Sequence, residues 1–201
     1  MPDVVSLGIL ASNRESMTPV DESNPLPATM GASESHIGQV GGTTVKASAS
    51  FSRPANTTAY AAGDLVANNT SAGSVTAMEF TVARVAGGSG MIRRGRLRKT
   101  GTSVTLASFR LHLYLSAPTV SNGDNGVWLT DKAADYVGAI DITVDRAFTD
   151  GAAGNGLPVT GSEINFDLAS GTKLYGLLEA RAAYTPASGE TFTLDLEVLQ
   201  N

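Results

Sequence analysis

The stretch VTLASFRLHLYL, residues 104–115, carries the longest alternation of apolar and polar residues in the chain. Val104 and Leu106 alternate with small residues, and after a slip of one position a second alternation begins at Phe109. A period of two is typical of a strand that has one face in a core. Because an extra residue in a β-bulge reverses the two faces, a bulge at position 107 or 108 is expected to keep all six apolar residues on the core side.

Other segments repeat this pattern and predict further strands. Alternation or short apolar runs occur at residues 45–51, 60–66, 78–82, 91–99, 136–144, 164–168, 174–184 and 192–198. Clusters of turn-forming residues separate them, and the Gly/Ala-rich residues 150–158 are interpreted as a long loop. Eight or nine strands at these spacings predict an all-β fold, an antiparallel jelly-roll-like β-sandwich.

The first 42 residues differ from the rest of the chain. They hold three of the eight prolines between positions 19 and 27 and show no sustained period, which favours extended chain. The sequence therefore predicts an extended N-terminal arm over residues 1–42 and a single β-sandwich domain over residues 43–201. An extended arm cannot bury its own apolar residues, so an external partner surface is expected for Val4, Val5, Leu7, Ile9 and Leu10.

Composition narrows the functional classes. The chain has no cysteine, which excludes disulfides and thiolate metal sites. No signal-peptide pattern or membrane-length apolar run occurs, so a protein that is neither secreted by a standard signal nor membrane-embedded is expected.

Catalytic groups are few in the sequence. With only His36 and His112, a nucleophile with its base has few possible members, and His112 is interpreted as a structural residue of a strand's outer face. The NGDNG segment at 122–126 lacks the later glutamate of an EF-hand and is interpreted as a turn. Asp141 and Asp145 are expected on an exposed strand face. We predict no enzyme activity, no catalytic residue, no cofactor and no metal.

Basic residues concentrate in one seven-residue window made of Arg93, Arg94, Arg96, Arg98 and Lys99. One interpretation is an electrostatic contact with a partner surface. The other is a strand whose charges are solvated or paired with the acidic second half of the chain. On a regular strand Arg94, Arg96 and Arg98 share a face with Ile92. No aromatic residue interleaves for base stacking, and nucleic-acid binding is not expected.

Three segments in order resemble a group of tailed-bacteriophage structural proteins. They are TPVDESNPLP at residues 18–27, HIGQVGG at residues 36–42 and YAAGDLV at residues 60–66. The resemblance implies a leader that lies on a neighbouring virion subunit, which places Pro25, Leu26 and Pro27 at an interface. It also implies a β domain similar to jelly-roll decoration or cement proteins.

From this resemblance we expect a capsid decoration protein that binds the outer surface of the assembled phage head as a homotrimer, with the major capsid protein as its partner. Assembly would take place in the host cytoplasm. Arg94, Arg96 and Arg98 join the arm residues as candidate interface residues. The alternatives are a tail, baseplate or fibre-attached component, a virion depolymerase or lysin that uses a carboxylate pair, or a carbohydrate-binding jelly roll that uses Trp128, Tyr114, Tyr136 and Tyr175.

Overall fold

The computed structural model describes residues 42–201 in full and residues 8–10 and 17–19 as backbone. The chain divides into two compact units, residues 1–40 and residues 41–201. In the first unit, β1 (Gly8–Leu10) pairs antiparallel with β2 (Met17–Pro19), with Ile9 opposite Thr18.

The second unit is all-β, as predicted. Its strands are β3 (Thr43–Ser52), β4 (Leu65–Val66), β5 (Met78–Thr81), β6 (Ser89–Lys99), β7 (Ser108–Tyr114), β8 (Tyr136–Thr143), β9 (Arg146–Phe148), β10 (Gly151–Pro158), β11 (Ile164–Asp167), β12 (Lys173–Ala180) and β13 (Thr191–Gln200). Strand accounts for 49% of the described residues. The helices among the described residues are two single 3-10 turns, and none is long and apolar enough to cross a membrane.

These eleven strands form one antiparallel sheet that curls into a half-barrel. Its main path runs β3, β13, β6, β10, β8, β7, β12 and β4, while β11 pairs with β6, β5 with β12 and β9 with β10. β13 forms the two longest strand pairings of the sheet, one with β3 and one with β6. The last strand of the chain therefore connects the first strand of the domain to the rest of the sheet.

The inner face of the curl is the hydrophobic core, and β7 lies near its centre. Phe109, Leu111 and Leu113 of β7 are fully buried, as the alternation predicts. The Phe109 ring meets Tyr184 and Phe192 edge-on, with centroids 5.3 and 5.5 Å apart. Aromatic pairs in this geometry add stability beyond the area that they bury.

The predicted strand over residues 104–115 is too long, and the predicted bulge is wrong. The strand begins at Ser108, because the preceding residues form a turn in which the amide of Ala107 donates to the carbonyl of Val104. Leu106 has a positive φ of 54° and is 55% exposed, so it lies outside the core. Leu115, beyond the strand end, is also exposed.

The interpretation of residues 150–158 as a loop is also wrong. They form β10, which is inserted between β6 and β8. The small residues that resemble a loop in sequence allow close backbone approach: a Cβ at Gly156 would lie 2.1 Å from the carbonyl oxygen of Asp141. Glycine within a strand often marks such a close contact.

A real bulge lies in the basic strand. The register of β6 on β13 places Ile92 opposite Val198 and Arg94 opposite Glu197, so Arg93 is an extra residue. The strand faces therefore reverse at Arg93. Ile92 is fully buried, whereas Arg94 points outward, which corrects the prediction that these two residues share a face.

Two buried ion pairs hold the loops at one end of the sheet. Arg53 Nη2 lies 3.0 Å from Asp124 Oδ2, and Lys99 Nζ lies 3.0 Å from Glu190 Oε1, with all four side chains fully buried. The backbones join the pairs, since the amide of Arg53 donates to the carbonyl of Glu190. Burial of such charges requires that each partner be satisfied, and every buried side-chain nitrogen and oxygen among the described residues has a hydrogen bond.

Each ion pair includes a tyrosine. The Tyr60 hydroxyl donates to Asp124 Oδ1 at 2.6 Å and accepts from Arg53 Nε at 2.8 Å. The Tyr184 hydroxyl donates to Glu190 and accepts from Lys99 Nζ at 2.8 Å. Burial raises the pKa of both phenols and lowers the pKa of Lys99.

The YAAGDLV segment at residues 60–66 is explained by these contacts. Tyr60 belongs to the first ion pair, and the Asp64 carboxylate accepts the amide of Ala61 at 2.6 Å. Gly63 has a φ of 94°, a conformation that side chains disfavour, and leads into the buried Leu65. The bend at Gly63 feeds the short strand β4. This segment therefore has a structural role.

The loop after β7 is attached to the sheet by two partly buried residues, Val120 and Trp128. Trp128 packs on a small apolar cluster of Leu65, Ala67 and Leu177. Its neighbours Val127 and Leu129 are exposed. The NGDNG segment in this loop is a turn as predicted, and its Asp124 carboxylate is fully used by internal hydrogen bonds from Arg53, Tyr60 and the amide of Ala67.

We expect Asp124→Asn to lower the free energy of unfolding by about 3–5 kcal/mol, because it leaves the Arg53 guanidinium buried without its counter-charge. Urea denaturation at neutral pH measures this loss. The exposed Asp150→Asn is the matched control and is expected to change stability by less than about 0.5 kcal/mol. Equal small losses in both variants would contradict a structural role for the pair.

Candidate interaction surface

The outer face of β3, β13 and β6 carries rows of opposite charge. Register places Asp195 of β13 between Ser48 of β3 and Arg96 of β6, and Glu197 between Lys46 and Arg94. The alternation of these strands sends their apolar residues to the core and these residues outward.

The arginine ladder, defined as Arg94, Arg96 and Arg98 with Asp195 and Glu197, is held by direct contacts. Arg94 Nε donates to Glu197 at 2.6 Å and Arg96 Nε to Asp195 at 3.1 Å, while Arg98 Nε lies 3.5 Å from Asp195. The interpretation that the basic strand pairs with the acidic half of the chain is therefore confirmed.

Asp195 is the fixed centre of the ladder. Burial opposes its ionisation, but hydrogen bonds from Ser48 and Arg96 outweigh this effect and lower the pKa of the carboxyl. Its side chain is 4% exposed, whereas Arg94, Arg96 and Arg98 are 61%, 44% and 49% exposed. Lys46 Nζ also lies 3.8 Å from Asp195. The buried acid thus orients several cations that remain accessible to a partner.

An exposed apolar pair lies beside the ladder. Asn155 of β10 is opposite Arg96, and Leu157 follows two residues later on the same face. Leu157 is 66% exposed and the nearby Val159 is 47% exposed. Leu157 and Val159 line one depression together with Arg94, so the apolar pair borders the ladder. Sequence reasoning missed this pair because it interpreted residues 150–158 as a loop.

The other predicted interface residues lie in the first unit. Ile9 and Leu10 belong to β1, which is described only as backbone. The remaining residues lie outside the described part of the chain: Val4, Val5, Leu7, Pro25, Leu26 and Pro27. Their interface role stays a prediction.

A second polar cluster surrounds His112 on the outer face of β7. His112 Nε2 lies 2.8 Å from Glu179 Oε2 and its ring stacks on Trp128 with centroids 4.2 Å apart. Glu179 also accepts from Arg181 at 2.9 Å. Burial lowers the pKa of His112, and its hydrogen bond to Glu179 only partly opposes this effect.

The four aromatic residues considered for carbohydrate binding lie near this cluster. Tyr114 is opposite Tyr175 and meets Tyr136 edge-on at 5.4 Å. Tyr114 is buried, and one face of Trp128 is covered by His112. Tyr136 is the exposed member of the group. Because the rings of Tyr114, Trp128 and Tyr136 pack on neighbouring rings, the group offers little open surface for stacking on a sugar.

Carboxylates on the outer face are also paired. Arg110 binds Asp141 through two hydrogen bonds of 2.6 and 2.7 Å, which hold the pKa of Asp141 below its usual value. Within residues 42–201, no group of three or more histidines or carboxylates is close enough to hold a metal ion.

Comparison with protein-family models, with curated proteins and with solved structures finds no match to this chain. The bacteriophage resemblance therefore depends on the three sequence segments alone.

We expect stability to decrease as the pH falls below about 6.5, because the unfolded chain binds a proton at His112 more readily than the folded chain does. Thermal unfolding at about pH 7.5 and about pH 5.5 measures this effect. In His112→Gln the difference between the two conditions is expected to shrink. Asp141 and Asp195 titrate at lower pH and leave this window unaffected. An unchanged difference in the variant would contradict the assignment.

Proposed function

We propose that this chain is a structural protein of a tailed-bacteriophage particle, and specifically a jelly-roll-like capsid decoration protein that binds the outer surface of the assembled head. The three segments at residues 18–27, 36–42 and 60–66 support the class. A tail, baseplate or fibre-attached position in the same particle is the alternative.

The observation that carries the proposal is the outer face of β13, β6 and β10. It presents half-exposed guanidinium groups beside exposed Leu157 and Val159, on a rigid sheet. A protein that binds another protein surface needs such a mixed, preformed face. A sheet of this kind supplies a broad contact without loop rearrangement.

Decoration acts by mass action in this proposal. Each copy binds the assembled shell and not the free subunits, so occupancy stabilises the shell in proportion to the logarithm of its concentration over the dissociation constant. The two-unit organisation suits a protein whose N-terminal arm lies on a neighbouring virion subunit.

In a co-sedimentation assay we expect the full-length chain to bind purified heads that lack it, saturably, and to raise their dissociation temperature. The heads are assembled from the major capsid protein of the same phage genome. Purified tails serve as the comparison particle. Binding to tails alone would move the protein to the alternative position, and binding to neither particle would contradict a virion role.

We also expect a homotrimer, since symmetric association adds stability to a chain without disulfides. Sedimentation equilibrium of the 20.6 kDa chain at micromolar concentration measures its state. A species of about three times that mass is the expected result. A monomer throughout this range would contradict the trimer.

A further inference from the structure

Two neighbouring depressions on the outer face share part of their lining. The first, of about 310 Å³, is lined by Lys46, Arg94, Arg96 and Asn155 together with the two acids of the ladder. The second, of about 560 Å³, is lined by Asp141, Leu157 and Val159 and shares Arg94 and Asn155 with the first. We call this combined surface the outer groove.

The two ends of the outer groove differ in chemistry. Its β3–β6 end is basic, because Asp195 is buried while Lys46, Arg94 and Arg96 keep 61%, 61% and 44% of their side-chain surface exposed. Its β10 end is apolar through Leu157 and Val159. A ligand that lies along the whole groove therefore contacts cations at one end and aliphatic side chains at the other.

The spacing of these groups matches an extended chain. Arg94 and Arg96 are two residues apart on β6, and Asn155 and Leu157 are two residues apart on β10, with Val159 in the turn directly after that strand. Alternate residues of a strand repeat at about 6.6–7 Å, and an extended segment laid on the sheet repeats its own side chains at the same interval.

We propose that the outer groove binds an extended segment of the shell protein that carries acidic residues followed by an apolar residue. Its carboxylates lie on Arg94 and Arg96, and its apolar side chain lies on Leu157 and Val159. This inference rests on the proposed function, because the occupant is the shell. Charge complementarity favours an acidic occupant, since the four cations Lys46, Arg94, Arg96 and Arg98 share only the two acids Asp195 and Glu197.

The test is a titration of purified heads with full-length variants at low and high salt. Arg94→Ser with Arg96→Ser is expected to weaken binding at low salt by at least about tenfold and to flatten its salt dependence, because the lost contacts are electrostatic. Leu157→Ser with Val159→Ser is expected to weaken binding at both salt concentrations and to keep the salt dependence. A synthetic acidic peptide is expected to compete with wild type.

Matched controls are Arg93→Ser, on the same strand but outside the groove lining, and Val127→Ser, an exposed apolar residue of the loop after β7. Both are expected to bind as wild type does. Thermal unfolding verifies that each variant is folded, so that lost binding is not lost structure.

The outcomes separate the two proposals. Heads that bind wild type and both groove variants equally would overturn the groove and leave the decoration role standing. Heads that do not bind wild type would overturn both the decoration role and the shell as occupant of the groove. Groove variants that lose self-association in sedimentation would assign the groove to a second copy and overturn the shell as its occupant.

Discussion

The two buried ion pairs at one end of the sheet impose the strictest constraint in this domain. A charge without its partner at a fully buried position is strongly destabilising, so Arg53 and Lys99 tolerate only the arrangement that brings Asp124 and Glu190 to them. Arg53 directly follows β3 and Lys99 ends β6. The pairs therefore fix, at once, the positions of two strands and of the loops that supply the acids.

Hydrophobic burial alone would not select this arrangement. The core of a curled sheet accepts many apolar combinations of the right volume, whereas a guanidinium with five donors demands acceptors in particular places. Here Arg53 reaches Tyr60, Asn56 and Asp124. These polar contacts give the domain one register, and β13 then carries that register to the outer face between β3 and β6.

Sequence reasoning predicted the class of fold because alternation is a direct consequence of strand geometry, as in β7. It failed where the composition of a segment is typical of one kind of structure and the folded environment of the segment is another. Residues 151–158 have the composition of a loop but form a strand inside the sheet, since small residues are what a crowded strand position requires. The bulge at Arg93 could be predicted from the odd spacing between Ile92 and Leu97, both of which are fully buried.

Part of the candidate site could likewise be predicted from the sequence, and part could not. The clustering of Arg94, Arg96 and Arg98 is evident in sequence, because residues two apart on a strand share a face. Their acidic partners are about 100 positions away along the chain and depend on the pairing of β6 with β13, which no local pattern encodes. The exposed positions of Leu157 and Val159 were not predicted, because their segment was interpreted as a loop and no strand face was assigned to it.

In the proposed function the arginine ladder contributes more to recognition than to stability. Half-exposed ion pairs contribute about 0–1 kcal/mol after solvent screening. The asymmetry of exposure matters more, since the carboxylate of Asp195 is buried while the cations that it holds are not. Long, flexible side chains are thereby ordered before a partner arrives, which lowers the entropy lost on binding.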